Sequence, residues 1–245
     1  MHRFFVKPEQ IHGDQIIIDG EEFKHAAKAV RIRDNELFEV CDGSGFDYHC
    51  LITCREKEQL TAVIQEKRPS AGELPYTVTL FQGLPKGQKM DEIVQKNTEL
   101  GISSVVPFVS AFCVAKLEEP DKVARKCGRW QRIAFEAAKQ SKRGKIPQVH
   151  EPVAFQRMCE IAADFDLVII AYEHEMDRPL QTVLEGRTQY RNIAVIVGSE
   201  GGFSREEVER LEAAGAKSVS LGRRILRTET AGMVLLAQIN YAFGQ

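Results

Sequence analysis

The chain has 245 residues, 43% of them hydrophobic, and its 33 Lys/Arg against 35 Asp/Glu leave a net charge of −2. That size and balance suit one large or two small globular domains and exclude a fibrous or low-complexity chain. No run approaches the eighteen apolar residues of a membrane span, and a start carrying Lys7, Glu9 and Asp14 has no signal-peptide core, so a cytoplasmic protein is expected.

The first 70 residues read as short strands at Gln15 to Ile18, Leu37 to Cys41, Tyr48 to Cys54 and Thr61 to Gln65, with one helix at 20–30 and a hairpin turn at Asp42-Gly43-Ser44-Gly45. This is the pattern of a small β-barrel or sandwich. Arg68-Pro69-Ser70-Ala71-Gly72-Glu73-Leu74-Pro75 reads as a linker. Beyond it, strands alternate with helices, which predicts an α/β domain with a mostly parallel sheet. Its strands are expected at Thr77 to Gln82, Val105 to Val109, Leu167 to Tyr172, Ile193 to Val197 and Ser218 to Leu221. Met90, Ile93, Val94, Asn97 and Leu100 form one stripe of a helix ending before Gly101. Ser204-Arg205-Glu206-Glu207 is a capping box, and 229–243 is apolar enough for a largely buried helix.

Charge distribution says more than the sum. Between Lys122 and Lys145 lie nine Lys/Arg and one acid, Glu136; Lys24, Lys28, Arg31 and Arg33 form a second basic stretch without an acid. Most charge runs are solvated helix faces, but a one-signed run on a long helix favours phosphate contact. Trp130 and Phe135 fall in this helix, where core packing and base stacking are both open. The six cysteines make no C-x-x-C pair and the histidines no ligand-spaced cluster, so no metal site is expected and no histidine is assigned to catalysis.

Two loops carry the chemistry. Val197-Gly198-Ser199-Glu200-Gly201-Gly202-Phe203 and Leu221-Gly222-Arg223-Arg224-Ile225-Leu226-Arg227-Thr228-Glu229-Thr230-Ala231-Gly232 each follow a strand and lead into a helix. Glycines at strand ends let a flat polar ligand approach the backbone, and neither loop has the spacing of a P-loop or a dinucleotide fingerprint. The edge of such a ligand could be read by backbone groups of Val197, Gly198, Leu221, Gly222 and Leu226. Ile225, Leu226 and Ala231 offer an apolar slot, and Ala171, Tyr172 and Glu173 end a strand at the same cleft.

These loops resemble the cofactor motifs of the SPOUT methyltransferases, and most of all the RsmE family, which methylates N3 of a uridine in 16S ribosomal RNA. The likeness extends to Met1-His2-Arg3-Phe4-Phe5-Val6, to Lys86-Gly87 and Gln95 through Ile102, and to Glu136 through Ser141 with Arg143. Ser199 departs from the expected proline, and Arg223 and Asn97 are local variants. The resemblance implies a PUA-like RNA-binding barrel over 1–70 and a SPOUT domain over 76–245 with a C-terminal trefoil knot, S-adenosyl-L-methionine as cofactor, and a homodimer. It also implies cofactor contacts from Gly201, Gly202, Arg227 and Thr230 besides those above. Glu200 or Glu229 could take the N3 proton while Arg227 or Arg143 steadies the anion. Each has a plainer alternative: Glu229 in a helix dipole, Arg227 salt-bridged to Glu200, Thr228 and Thr230 as caps. RNA contact is expected from Arg3, Lys24, Lys28, Arg31, Arg33, Lys86, Arg129, Arg132, Lys142 and Arg143. The partner would be 16S ribosomal RNA or the assembled small ribosomal subunit. A non-catalytic assembly factor and a SPOUT enzyme acting on transfer RNA are the rivals.

Overall fold

The computed structural model describes residues 2–34, 36–116, 119–186 and 190–243, with the side chains of Lys28 and Ala29 outside the description. The chain forms two compact units, Met1–Glu73 with Ala138–Ile146, and Leu74–Ala137 with Pro147–Gln245.

The first unit holds a six-stranded sheet built from β1 (Arg3–Phe5), β2 (Ile11–His12), β3 (Gln15–Asp19), β4 (Phe38–Cys41), β5 (Phe46–Arg55) and β6 (Gln59–Pro69), in the order β1-β4-β5-β6-β3-β2. All neighbours are antiparallel except β1 with β4. Alternation drives the pairing: Ile16 faces Ala62 and Ile18 faces Leu60 across β3 and β6, and all four are buried. Phe4, Phe38 and Val40 complete this core. The expected helix over 20–30 is instead a short α1 (Gly20–Lys24) continued by a π-helical turn, His25–Val30. The expected linker also starts later, because β5 and β6 stay paired as far as Phe46 with Pro69.

Ala138–Ile146 packs with this first unit, although the sequence assigned it to the second domain. A charge cluster explains why. The Arg3 guanidinium pairs with Asp47 at 2.5 Å and donates to the Arg143 carbonyl at 3.0 Å. The Arg143 guanidinium, 3% exposed, pairs with Glu73 at 2.8 Å, and the second Glu73 oxygen accepts the Gly144 and Lys145 N–H groups.

The second unit is an α/β sheet with strands β7 (Thr77–Gly83), β8 (Ser104–Val109), β9 (Gln148–Val149), β10 (Val153–Ala154), β11 (Leu167–Ala171), β12 (Asn192–Val197) and β13 (Lys217–Val219). The order is β10-β8-β7-β12-β11-β13, all parallel, with β9 sharing the β8 edge. The helices are α2 (Lys89–Glu99), α3 (Pro120–Gln140), α4 (Phe155–Ala162), α5 (Leu180–Leu184), α6 (Arg205–Ala213) and α7 (Thr228–Ala242). Successive residues of β7 and β12 go to opposite faces. Leu80 and Val195 join a core with Met90, Ile93 and Leu235; Phe81 and Ile196 join one with Met158, Val208 and Leu211. Burial on both faces is why β12 reads as a continuous apolar run from Ile193 to Val197. Trp130 belongs to the first of these cores. The capping box forms: the Glu207 N–H donates to the Ser204 hydroxyl, and the Glu207 carboxylate accepts the Ser204 N–H. Among the described residues no helix is long and apolar enough to cross a membrane.

Candidate functional site

At the carboxyl ends of β11, β12 and β13 the second unit encloses a cavity of about 760 Å³. Parallel strands all point the same way, so their ends and the loops that leave them converge there. Ala171, Tyr172 and Glu173 line it from β11, Val197, Gly198 and Gly202 from the loop after β12, and Leu221, Gly222, Ile225, Leu226 and Arg227 from the loop after β13, with Ala231 at the start of α7. The fold thus brings most of the residues expected to touch a cofactor into one wall. Gly201 and Thr230 are not in it. A Cβ on Gly201 would sit 2.7 Å from the Phe112 Cβ, so this glycine permits loop packing. Thr230 lies between Thr228 and Ala231 on α7, and the helical period turns it off the face those two present.

The loops are fixed by a cluster of buried polar bonds that sequence reasoning missed. Gln82, fully buried at the end of β7, donates through Nε2 to the Gly198 carbonyl at 3.3 Å and to the Thr228 hydroxyl at 2.8 Å. Thr228 in turn donates to the same Gly198 carbonyl at 2.6 Å. One carbonyl thus ties the loop after β12 to the start of α7, and Thr228 works between them rather than as an N-cap. Gly83 must be a glycine here, since a Cβ would come within 2.5 Å of the Ser199 nitrogen. The turn from Ser199 to Gly202 closes by a 3.0 Å backbone hydrogen bond.

Charge is the second feature. The Lys89 ammonium, at the first residue of α2, lies 2.9 Å from Glu200 and 3.5 Å from Glu229. Glu200 also accepts the Lys86 N–H at 3.1 Å. Burial pushes the Glu200 carboxyl up, but the Lys89 hydrogen bond and the backbone N–H groups of Glu200 and Lys86 outweigh it and hold its pKa below the ordinary carboxylate value. The hydrogen bond to Glu200 raises Lys89 correspondingly. A salt bridge from Arg227 to Glu200 was the plain alternative for that arginine; Lys89 takes the place instead. The Arg227 side chain is 82% exposed, with its guanidinium 3.8 Å from Glu229. The wall also includes Ser199, Arg223, Arg224 and Thr228 from the two loops, and Lys89, His174, Met176 and Ser220 from outside them, which the sequence had not pointed to. Arg143 is buried in the first unit and bound to Glu73, so the guanidinium that the sequence offered for anion stabilisation is a structural one.

The residues expected to meet RNA separate by burial. Arg3 and Arg143 direct their charge at internal carboxylates, which corrects the expectation for both. Lys24 is exposed and pairs with Glu21 at 2.6 Å. Arg31, Arg33, Lys86, Arg132 and Lys142 are exposed, and Arg129 is half-exposed and paired with Asp91. The Lys28 side chain lies outside the described residues.

Two family models match. One describes an RNA methyltransferase domain and covers residues 72–240; the other describes an RNA methyltransferase PUA domain and covers residues 18–65. A relative from Bacillus subtilis, ribosomal RNA small subunit methyltransferase E, is 34% identical over 98% of this chain and 96% of its own. The chain belongs to the ribosomal RNA small subunit methyltransferase E family. A member from Aquifex aeolicus is 33% identical over 94% of this chain and 95% of its own. The solved family member from Neisseria gonorrhoeae, bound to S-adenosyl methionine, superposes with a TM-score of 0.81 at 28% identity, covering 98% of this chain and 97% of that one. The fold is therefore a PUA-like domain followed by a SPOUT methyltransferase domain, as the resemblance implied.

The cavity suits the cofactor of such a family on its own evidence. Its volume falls in the usual range for a small-molecule site. Gly202, at φ +67°, leaves room that a Cβ would fill to within 2.3 Å of a Glu173 oxygen. The wall carries both signs of charge, Glu173 and Glu200 beside Lys89, Arg223, Arg224 and Arg227, which suits a zwitterionic ligand, and the Ser199 hydroxyl is buried beside it without a partner. Ile225, 84% exposed, and Met176, 73% exposed, supply apolar surface to cover.

Proposed function

We propose that this protein transfers the methyl group of S-adenosyl-L-methionine to N3 of a uridine in the 16S RNA of the small ribosomal subunit. The observation that carries the reading is the convergence of both glycine loops on one cavity at the strand ends, in a chain similar end to end to ribosomal RNA small subunit methyltransferase E. The cofactor supplies an electrophilic methyl group on a positively charged sulfur. The protein's part is to hold the reactants in line, a contribution worth about 7–11 kcal/mol at best, and to manage the N3 proton. Glu200, whose charged form is stabilised by Lys89 and the Lys86 N–H, is one candidate proton acceptor. Glu229, 12% exposed at the start of α7, is the alternative, with Arg227 the exposed cation for negative charge spreading to the uridine oxygens.

The bond from Thr228 to Gly198 and the shared Gln82 support a C-terminal segment threaded against the loop after β12, as a trefoil knot requires. Exposed Ile225, Met176 and Tyr241 support a homodimer, in which a second copy covers apolar surface. Action on ribosomal RNA supports a cytoplasmic protein. The PUA-like unit and the exposed Arg31, Arg33 and Lys142 support RNA contact there.

The test is a map of methylated nucleosides in 16S RNA from cells with and without the protein, with restoration by purified protein and labelled S-adenosylmethionine. Loss and recovery of one 3-methyluridine is the expected result. An unchanged map with intact cofactor binding moves the acceptor to another RNA, such as a transfer RNA. Absence of cofactor binding by calorimetry leaves the assembly-factor reading.

A further inference from the structure

A second pocket, of about 200 Å³, lies in the same unit on the other side of the first turn of α2. Lys89 faces the large cavity, whereas Met90 and Asp91 line the small one. Its floor is apolar, from Leu84, Met90 and Trp130, and its rim carries Lys116, Lys126 and Arg129. Lys126 and Arg129 are three residues apart on α3 and so share a face. Arg129 is paired with Asp91 but still half-exposed, and Lys116 and Lys126 are exposed.

We propose that this pocket binds one nucleotide of the single-stranded RNA that carries the acceptor, with its base on the apolar floor and its phosphate at the lysine and arginine rim. The inference rests on the RNA methyltransferase reading and adds a subsite to it. An apolar floor under a cationic rim matches the two halves of a nucleotide: bases stack on or pack against apolar and aromatic side chains, and phosphates seek Lys and Arg. A purely phosphate-binding patch would need no floor, and a purely apolar ligand would not need a cationic rim. The loop that carries the floor is also coupled to the cofactor side, because the Lys86 N–H holds Glu200. Occupancy of the small pocket and the geometry of the large one therefore meet in one short segment, residues 84–91.

Trp130 is the only tryptophan in the chain, which makes its emission a reporter of this pocket. The experiment titrates the full protein with a short single-stranded oligoribonucleotide and, separately, with uridine monophosphate. It follows Trp130 emission together with the anisotropy of the labelled oligonucleotide. Expected are quenching at the concentration where anisotropy rises, tighter binding of the oligonucleotide than of the mononucleotide, and binding weakened by about tenfold in K116A/K126A. The salt dependence of binding in that variant should become shallower by about 0.7 in logarithmic slope for each phosphate no longer neutralised. Both lysines are exposed, so the variant is expected to fold, and an unchanged melting curve checks it. No oligonucleotide binding, binding that leaves Trp130 emission unmoved, or equal affinity for the mononucleotide would overturn the proposal. Calorimetry with S-adenosylmethionine on the same samples reports the large cavity alone, so failure of the methyltransferase reading is seen separately.

Discussion

Gly202→Ala separates what the backbone needs from what the cavity needs. Gly202 sits at φ +67°, where an L-residue costs roughly 1–2 kcal/mol. The new Cβ would also lie 2.3 Å from a Glu173 carboxylate oxygen. That oxygen ends a flexible side chain, so the collision is relieved by moving Glu173, and the φ strain remains as the stability cost. Each kcal/mol corresponds to a fall of about 2–4 °C in Tm for a domain of this size. The displaced Glu173 changes the wall of the cofactor cavity, and the expected loss in S-adenosylmethionine affinity is about tenfold, or about 1.4 kcal/mol. The decisive assay is a double-mutant cycle by calorimetry and thermal melting. In Glu173→Ala/Gly202→Ala the collision is gone, so affinity should equal that of Glu173→Ala alone while the Tm deficit persists. Wild-type affinity in Gly202→Ala, or additive losses in the double variant, would refute the argument.

Thr228→Val removes the hydroxyl that joins Gly198 to Gln82 and leaves buried polar groups short of partners, so urea denaturation should show a loss of about 1–3 kcal/mol. Lys89→Met should change the acid limb of stability. Because the folded Glu200 pKa is depressed below its ordinary 4.5, its stabilisation is present above that value and fades as pH falls through the depressed one. Melting curves of wild type and Lys89→Met should therefore converge in strong acid and separate towards neutrality, and a constant gap would contradict the pairing. Glu73→Ala leaves the Arg143 guanidinium buried without its carboxylate, a loss of about 3–5 kcal/mol in the first unit, measured by chemical denaturation.

The parallel sheet was legible because β11 and β12 each hold five consecutive apolar residues and β7 and β8 are rich in Val, Leu and Phe, with helices between them. Strands of two or three residues, such as β1, β9 and β10, leave no period to detect. The cofactor wall was legible through its glycines, which the backbone demands locally. Lys89 and Gln82 were not, because one lies beside a helix stripe and the other inside a strand, and only the folded sheet sets them against Glu200 and Gly198. Arg3 and Arg143 show the converse error. A count of basic residues cannot tell a cation held for RNA from one that ties Ala138–Ile146 to Asp47 and Glu73.

Charge placement then accounts for a protein of net charge −2 that handles a polyanion. Glu173 and Glu200 share the cofactor wall with Lys89, Arg223, Arg224 and Arg227, and the Lys89 ammonium bridges Glu200 and Glu229. A second group of cations in this unit lies on α3, where Lys126 and Arg129 stand over an apolar floor. Methyl transfer needs the two sites close but distinct, one for a zwitterionic cofactor and one for a polyanion. The first turn of α2 meets that demand with consecutive side chains: Lys89 turns to the large cavity while Met90 and Asp91 turn to the small pocket. A helix sends neighbouring residues about 100° apart, so one turn is enough to serve both walls.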